Sequence, residues 1–196
     1  MSGGRARQVA GGIVLILLAV AIGQGLDRLR PTIIDQQGPF VRTAPVGEAV
    51  DLRLASLTVT GVRGSRSVVT RDVRYNADTE GVFVAVSVRV VPYSSPMAFA
   101  VFEARDDAGN RFLPTTKTVQ RVAPGVSFQP GYGTEGEIVF EVPVSAAQSL
   151  RLWGQISRSV RVDAVGDVPL AITPADVATW HGSSERLVPH ELAVAA

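Results

Sequence analysis

The chain has 196 residues, a formal net charge of +1 and no cysteine. Because its basic residues are spread along the chain, no basic stripe is present to follow a phosphate backbone, and we expect no nucleic-acid binding. The lack of cysteine excludes disulfides, thiolate metal sites, a cysteine nucleophile and a lipid-modified cysteine.

The first element is an apolar segment from Val9 to Leu26, which contains a single polar side chain in eighteen residues. A helix of this length covers roughly 27 Å, close to the ~30 Å thickness of the hydrocarbon layer. We therefore predict an uncleaved transmembrane anchor that binds the lipid bilayer, after a short cytoplasmic tail of residues 1–8. The alternative is a signal peptide, because Arg5 and Arg7 precede the apolar stretch and Ala19-Val20-Ala21 matches a cleavage site.

Orientation follows from the size of the remaining chain and not from its charges. Basic residues flank the apolar segment almost equally, so the positive-inside rule does not choose a direction. A large domain is translocated regardless of flanking charge, so we place residues 27–196 outside the plasma membrane, with a secreted protein as the alternative. Residues 27–46 contain three prolines and little periodicity, which is typical of a linker.

From Gly47 onward the hydrophobic period is two, as in β-strands. In GVFVAVSVRV, from Gly81, every second residue is a valine, which predicts a half-buried strand at the centre of a sheet with Ser87 on the opposite side. EIVFEVP repeats the pattern, with Ile138 facing inward and Glu137 and Glu141 facing solvent. LRLWGQI places Leu150, Leu152 and Ile156 on one face of a strand and Trp153 on the other.

Four further segments complete the expected set of strands. In VDLRLASLTVTGV the apolar register changes, which predicts a bulge or a short turn at Ala55-Ser56. MAFAVFEA from Met97, NRFLP from Asn110 and VRVDAV from Val160 bring the total to seven or eight strands. Short strands separated by frequent turns predict an all-β protein, an antiparallel β-sandwich over residues 47–170.

The polar cluster Asp106 to Asn110 lies between two of these strands. Gly109 is free to take a positive φ angle, and Asp and Asn side chains bond their own backbone in turns, so we predict a hairpin loop. The alternative is a weak calcium site, although a five-residue loop supplies only about three or four of the six oxygens that calcium needs.

Five segments follow one another along the chain, each with its own feature. The first has a glycine and an acidic residue before an apolar strand, and the second has a glycine before a valine-rich strand. The third is an acidic glycine hairpin, the fourth is a Pro-Gly turn leading to Phe-Glu-Val-Pro, and the fifth is a last apolar strand. They are GEAVDLRLASLTVTGV, GVFVAVSVRV, FEARDDAGNRFLP, QPGYGTEGEIVFEVP and LRLWGQI, which together span Gly47 to Ile156. In these segments the chain resembles the bacterial extracytoplasmic immunoglobulin-like family known as domain of unknown function 4352. The resemblance implies an immunoglobulin-like (Ig-like) sandwich displayed outside the cytoplasmic membrane behind a signal peptide, lipid anchor or membrane helix, and it brings no catalytic residues. The family often has an asparagine after the valine-rich strand where this chain reads VVPYSSP, so we expect the loop Pro92–Pro96 to differ.

Both histidines, His181 and His190, lie in the C-terminal segment of residues 171–196. A metal site with the nearby glutamates, or a nucleophile system with the nearby serines, is the functional alternative, but the spacing matches no zinc pattern and no nucleophile elbow. We predict polar residues in a surface tail. An envelope hydrolase stays an alternative only if the histidines fold onto Asp106 or Glu137.

The same segment contains the signature of one short helix. Thr173 is a candidate N-cap and Pro174 suits the first helical position, which predicts a helix reaching Trp180. We expect Trp180 to pack on the sandwich, because an exposed tryptophan is uncommon outside interfaces. The last residues, Leu192–Ala196, are expected to be frayed or bound to a partner.

These patterns indicate a binding protein and no enzyme: we predict no catalytic residues, no metal site and no cofactor. The expected function is a non-catalytic, membrane-anchored Ig-like module that binds another protein of the bacterial cell envelope, as an accessory subunit of a membrane complex. The alternative is a secreted Ig-like protein that binds an extracellular protein or a small ligand.

Overall fold

The computed structural model of the chain describes residues 39–72, 74–99, 101–120, 122, 126–156, 164–191 and 193–195. The predicted anchor Val9–Leu26, the tail before it and residues 27–38 of the predicted linker lie outside the described residues. The first four residues of the strand predicted from Val160 lie outside them as well. Among the residues that are described, no helix has the length and hydropathy that a membrane span requires.

Two large sheets and one small sheet contain the strands of the described residues. The strands are β1 (Phe40–Thr43), β2 (Ala49–Asp51), β3 (Ala55–Val69), β4 (Asn76–Pro92), β5 (Met97–Ala98), β6 (Val101–Arg105), β7 (Arg111–Phe112), β8 (Ser127–Phe128), β9 (Gly133–Val142), β10 (Arg151–Gln155), β11 (Ala164–Pro169), β12 (Arg186–Leu187) and β13 (Ala193–Ala195). A 3-10 turn spans Ala147–Ser149, and the helix α1 spans Pro174–Gly182. The six-stranded sheet has the order β12-β3-β4-β9-β13 with β2 paired to β3, the five-stranded sheet has the order β1-β11-β10-β6-β7, and β5 pairs with β8.

The valine-rich strand β4 lies inside the six-stranded sheet, as predicted. It pairs antiparallel with β3 on one side and with β9 on the other. Its alternate valines, from Val82 to Val90, are fully buried and face the main core. Stiff β-branched side chains at every second position suit this pleated, closely packed surface.

The main core lies between the two large sheets, so the chain forms a β-sandwich. Two glycines of the five-stranded sheet, Gly154 and Gly166, leave room for Leu57 of β3. A Cβ added at Gly154 would lie 2.9 Å from Leu57 Cδ2, and one added at Gly166 would lie 3.2 Å from the same atom. The missing side chains of one sheet therefore admit a large side chain of the other.

The opposite face of β4 is also buried, and the prediction of a half-buried strand is wrong at Phe83 and Ala85. Both side chains are fully buried in a second apolar cluster with Val68, Val139 and Leu187. Residues 114–120 cover one part of this outer face, where Thr118 Oγ1 donates to the carbonyl of Val69 over 2.6 Å. Residues 186–191 cover another part. Alternation along β4 revealed its two faces but not that two distant segments cover the outer one.

Three local expectations need correction. Phe40–Thr43, predicted to belong to the linker, forms β1, which pairs in parallel with β11. The register change after Val50 arises from a turn between β2 and β3 at Arg53, whose φ is 69°, two residues before the predicted position. The segment MAFAVFEA forms two strands, because β5 pairs with β8 while β6 pairs with β10.

The C-terminal helix has the predicted start and the predicted packing. Thr173 and Asp176 form a reciprocal capping box, with Pro174 in the first turn. Trp180 packs against the main core directly over Gly64 of β3. A Cβ added at Gly64 would lie 2.5 Å from the Trp180 ring, so this glycine is required for the close approach of the helix.

We expect Gly64→Ala to lower the free energy of unfolding by about 1–3 kcal/mol, because the new methyl group overpacks against Trp180. Gly61→Ala is the matched control in the same strand, since a Cβ there would lie 3.8 Å from its nearest neighbour, Ser87 Oγ. Urea unfolding of the two variants measures the difference. Equal losses would show that Trp180 does not pack tightly on Gly64.

Candidate functional site

The C-terminal segment after α1 crosses the outer face of the six-stranded sheet. β12 pairs in parallel with β3 at one edge, and β13 pairs antiparallel with β9 at the other edge. Leu187 is buried in the outer apolar cluster. The segment is therefore not the free tail that was predicted, although the side chain of His190 is exposed as expected. Ala193–Ala195, expected to be frayed or partner-bound, pairs as β13 within the chain.

Glu137 of β9 lies beneath this crossing, and it was predicted to face solvent. It is 1% exposed, so that prediction is wrong. Its Oε1 accepts hydrogen bonds from Arg63 Nε at 2.9 Å and from Ser87 Oγ at 3.0 Å. Its Oε2 accepts from Arg63 Nη2 at 2.7 Å and from the backbone amide of His190 at 2.7 Å. The cluster Arg63, Ser87, Glu137 and His190 thus joins β3, β4, β9 and the C-terminal segment.

The charge of Glu137 is compensated by its neighbours. Burial acts to raise the pKa of its carboxyl, but the hydrogen bonds from Arg63 and the His190 amide, with the positive charge of Arg63, hold that pKa below its ordinary value of 4.5. Arg63 also donates to the carbonyl of Val188. The carboxylate is therefore stabilised in its charged form while it holds the crossing segment in place.

One of the two histidines, His190, does lie at Glu137, but the order of the groups there is wrong for a hydrolase. His190 Nδ1 lies 3.2 Å from Glu137 Oε1, and Ser87 also bonds to that carboxylate. In a nucleophile system the imidazole stands between the serine and the acid, whereas here the carboxylate stands between the other two groups. Ser87 therefore has no imidazole base, and the buried carboxylate is closed to a substrate.

The second histidine, His181, does not join Glu137, and no metal site is formed by the described residues. His181 Nε2 lies 3.3 Å from the carbonyl oxygen of Glu80, away from Glu137. Within the part of the chain that the structure describes, no group of three or more His, Asp or Glu side chains is arranged to hold a metal ion.

The predicted hairpin at Asp106 is confirmed. Gly109 has a φ of 84°, and its amide donates to the carbonyl of Asp106. Both carboxylate oxygens of Asp106 accept hydrogen bonds of 2.8 Å from Asn110, one from the backbone amide and one from the side chain. These bonds lower the pKa of Asp106. The loop uses this carboxylate to hold its own turn.

A second buried carboxylate, Glu103 of β6, escaped the sequence analysis. It accepts hydrogen bonds from Arg105 Nε at 3.1 Å and from Arg111 Nε at 2.8 Å. Burial acts to raise the pKa of Glu103, but these two guanidinium groups hold it below its ordinary value. Arg105 in turn lies 3.7 Å from the ring centroid of Trp153, which faces outward as predicted. The sequence signal for this cluster is the pair Glu103 and Arg105, two residues apart on one face of β6, with Arg111 on the returning strand β7.

The most exposed apolar side chains lie on edge strands and loops. Phe40 and Val41 of β1 are 61% and 50% exposed. They line an open cavity of about 700 Å³ together with Pro39, Arg42 and Arg53. A second cavity of 680 Å³ lies beside β13, where Tyr132 and Val194 are 60% and 69% exposed. Each cavity lies beside an edge strand, β1 in the five-stranded sheet and β13 in the six-stranded sheet.

The fold is similar to those of two solved structures. The yjhA protein from Bacillus subtilis has a TM-score of 0.50 at 12% identity, with 63% of this chain and 98% of that chain covered. An uncharacterized β-sandwich protein from Clostridium difficile 630 has a TM-score of 0.42 at 10% identity, with 66% of this chain and 95% of that chain covered. No protein-family model matches the chain, and no curated protein matches it in sequence. At these identities the likeness concerns the fold alone.

We expect Glu137→Gln to lower the free energy of unfolding at neutral pH by about 2–4 kcal/mol, since it leaves Arg63 without its buried partner. Because the pKa of Glu137 is lowered in the folded state, its stabilisation is present above the unfolded pKa of 4.5 and is lost as the pH falls through the lower folded value. The difference between wild type and variant is therefore constant above about pH 5 and shrinks progressively as the pH falls from the unfolded pKa toward the lower folded value.

Urea unfolding between about pH 3 and pH 8 measures this difference. Glu141→Gln is the matched control, because Glu141 lies on the same strand and pairs with Lys117 at 2.8 Å while about a third of its side chain is exposed. Its loss should stay below about 1 kcal/mol. A difference for Glu137→Gln that does not change with pH would contradict the assignment.

Proposed function

We propose that the protein is a non-catalytic, membrane-anchored Ig-like module outside the plasma membrane that binds another protein of the bacterial cell envelope, as an accessory subunit of a membrane complex. Three features support it. The chain folds as a β-sandwich, its segment Val9–Leu26 has the length and composition of an anchor, and its motifs from Gly47 to Ile156 resemble an extracytoplasmic Ig-like family.

The use of the buried carboxylates supports the non-catalytic part of the proposal. Glu137 and Glu103 are each almost fully buried and each paired with arginine, and Asp106 is bonded within its own loop. Catalytic acids and bases are generally shifted toward neutral pH, whereas all three of these carboxyls have lowered pKa values. These three carboxylates stabilise the fold through their hydrogen bonds.

The exposed apolar edge at β1 carries the binding part of the proposal. Among the strands that the structure describes, β1 pairs only with β11, and its four residues are all exposed. An edge strand offers unpaired backbone groups, to which an extended segment of another protein can add as a further strand. Phe40 and Val41 supply apolar contact, and Arg42 borders the same cavity. Arg42 is already paired with Asp51 at 3.2 Å, so a partner segment with apolar side chains fits this edge best.

A secreted protein is the second candidate, favoured by the Ala19-Val20-Ala21 sequence. Cleavage after Ala21 would release a mature chain that begins at Ile22. Such a protein would bind an extracellular protein or a small ligand with the same sandwich.

The test places a photo-crosslinker on the full chain in native membranes. Because the chain contains no cysteine, Val41→Cys labels β1 alone. Leu113→Cys is the control, since Leu113 is 68% exposed and follows β7 at the opposite edge of the same sheet. We expect one protein to crosslink to position 41 and not to position 113, and Phe40→Asp to reduce that product at least about fivefold because it removes an apolar contact.

The mass of the chain within the crosslinked product reports its N-terminus. A chain that retains residues 1–21 agrees with the anchor, and one that begins at Ile22 makes the secreted alternative correct. Identical products at positions 41 and 113 would contradict a binding role for β1.

A further inference from the structure

The edge strands of the two large sheets differ in one respect. Charged side chains on an edge strand hinder pairing with another sheet, and proteins commonly use them for that purpose. In the two large sheets of the described residues, every other edge strand has a charged residue, and β13 has none. The charged residues are Arg42 in β1, Asp51 in β2, Arg111 in β7 and Arg186 in β12, whereas β13 consists of Ala193, Val194 and Ala195.

The cavity beside β13 has an uncharged lining, although β13 itself lies next to Glu135 of β9. β13 pairs with Gly133–Glu135 of β9, and no described strand pairs with its other edge. The cavity beside it is lined by Tyr132, Thr134, Val194 and their neighbours, and none of the lining residues is Asp, Glu, Lys, Arg or His. Val194 and Tyr132 are the large side chains that this surface leaves exposed. A partner that covers this cavity therefore meets apolar and uncharged polar side chains.

We propose that the outer edge of β13 is a self-association surface, on which the β13 strand of a second copy pairs antiparallel about a two-fold axis. A two-fold contact brings each residue near its own equivalent, so a charged edge repels itself. The sequence Ala-Val-Ala reads the same in both directions, so Val194 lies opposite the second copy's Val194 and alanines lie opposite alanines. At β1 the same symmetry would bring Arg42 close to its own equivalent.

The pairing makes one continuous sheet through both copies and covers Val194 and the adjoining cavity. Three residues on each side bury little surface for a protein interface, so the association is reversible and depends on concentration. Confinement of two copies to one membrane would raise their effective concentration and favour the pair. The second copy and the β1 partner occupy different sheets, so the two contacts are independent.

The test uses disulfide formation by the full chain reconstituted in lipid vesicles. Residues directly opposite each other in an antiparallel pair have Cα atoms about 4.5–5.5 Å apart, within the range that a disulfide spans. We expect Val194→Cys to form a covalent dimer at least about tenfold faster than the exposed control Leu113→Cys, because only the former cysteines face each other. No native cysteine competes.

A second pair of variants measures the non-covalent association of the full chain by sedimentation. Val194→Asp places two carboxylates across the axis and should weaken the dimer at least about tenfold, whereas Val194→Thr keeps a β-branched strand former and should have little effect. Thermal melts check that both variants fold, as the exposure of Val194 leads us to expect. Equal crosslinking at positions 194 and 113, an unchanged dimer in Val194→Asp, or crosslinking of position 194 only to a different protein would each overturn the proposal.

Discussion

The ion pair between Glu137 and Arg63 joins two strands that lie far apart in the sequence, a contact that the residue pattern of neither strand reveals. Arg63 lies on β3 and Glu137 on β9, with β4 between them, and the amide of His190 completes the set of donors. A buried carboxylate is costly unless its oxygens are bonded and its charge is balanced. Here Arg63 balances the charge, and the amide of His190 adds a bond from the crossing segment to those from Arg63 and Ser87. The carboxylate thus fixes where that segment lies.

This crossing, together with residues 114–120, explains why β4 is buried on both faces. Leu187 packs with Phe83, Ala85 and Val139 on the outer side of the sheet, next to the ion pair. The polar cluster specifies the position of the segment, and the apolar cluster supplies the area removed from water. Once both faces of the central sheet are covered, the remaining accessible backbone lies at the strand edges, which is where both proposed contacts are located.

The sequence predicted those features that depend on neighbours along the chain. The valines of β4, the outward Trp153, the hairpin at Asp106 and the cap at Thr173 follow from periodicity and turn chemistry within a few residues. Glu137 was misassigned because a charged residue at an alternate strand position normally faces solvent, and its partners Arg63 and His190 lie 74 and 53 residues away. Nothing local indicates such a pairing.

The edge strands β1 and β13 were not predicted from the sequence, for two different reasons. Phe40–Thr43 lies between prolines and is too short to show alternation, so it was predicted as linker although it pairs with β11. Ala193–Ala195 is rich in alanine, which has low β-propensity, and it forms a strand because β9 offers an edge. In both cases tertiary pairing, and not local preference, makes the strand.

A double-mutant cycle between Glu137→Gln and Arg63→Met tests the central interaction most directly, with free energies of unfolding measured for the full chain at neutral pH. Each single change leaves one member of the pair without its partner, and the double change removes both. We expect the double variant to be at least about 2 kcal/mol more stable than the sum of the single losses implies. Losses that add within about 0.5 kcal/mol would contradict the role given to this ion pair.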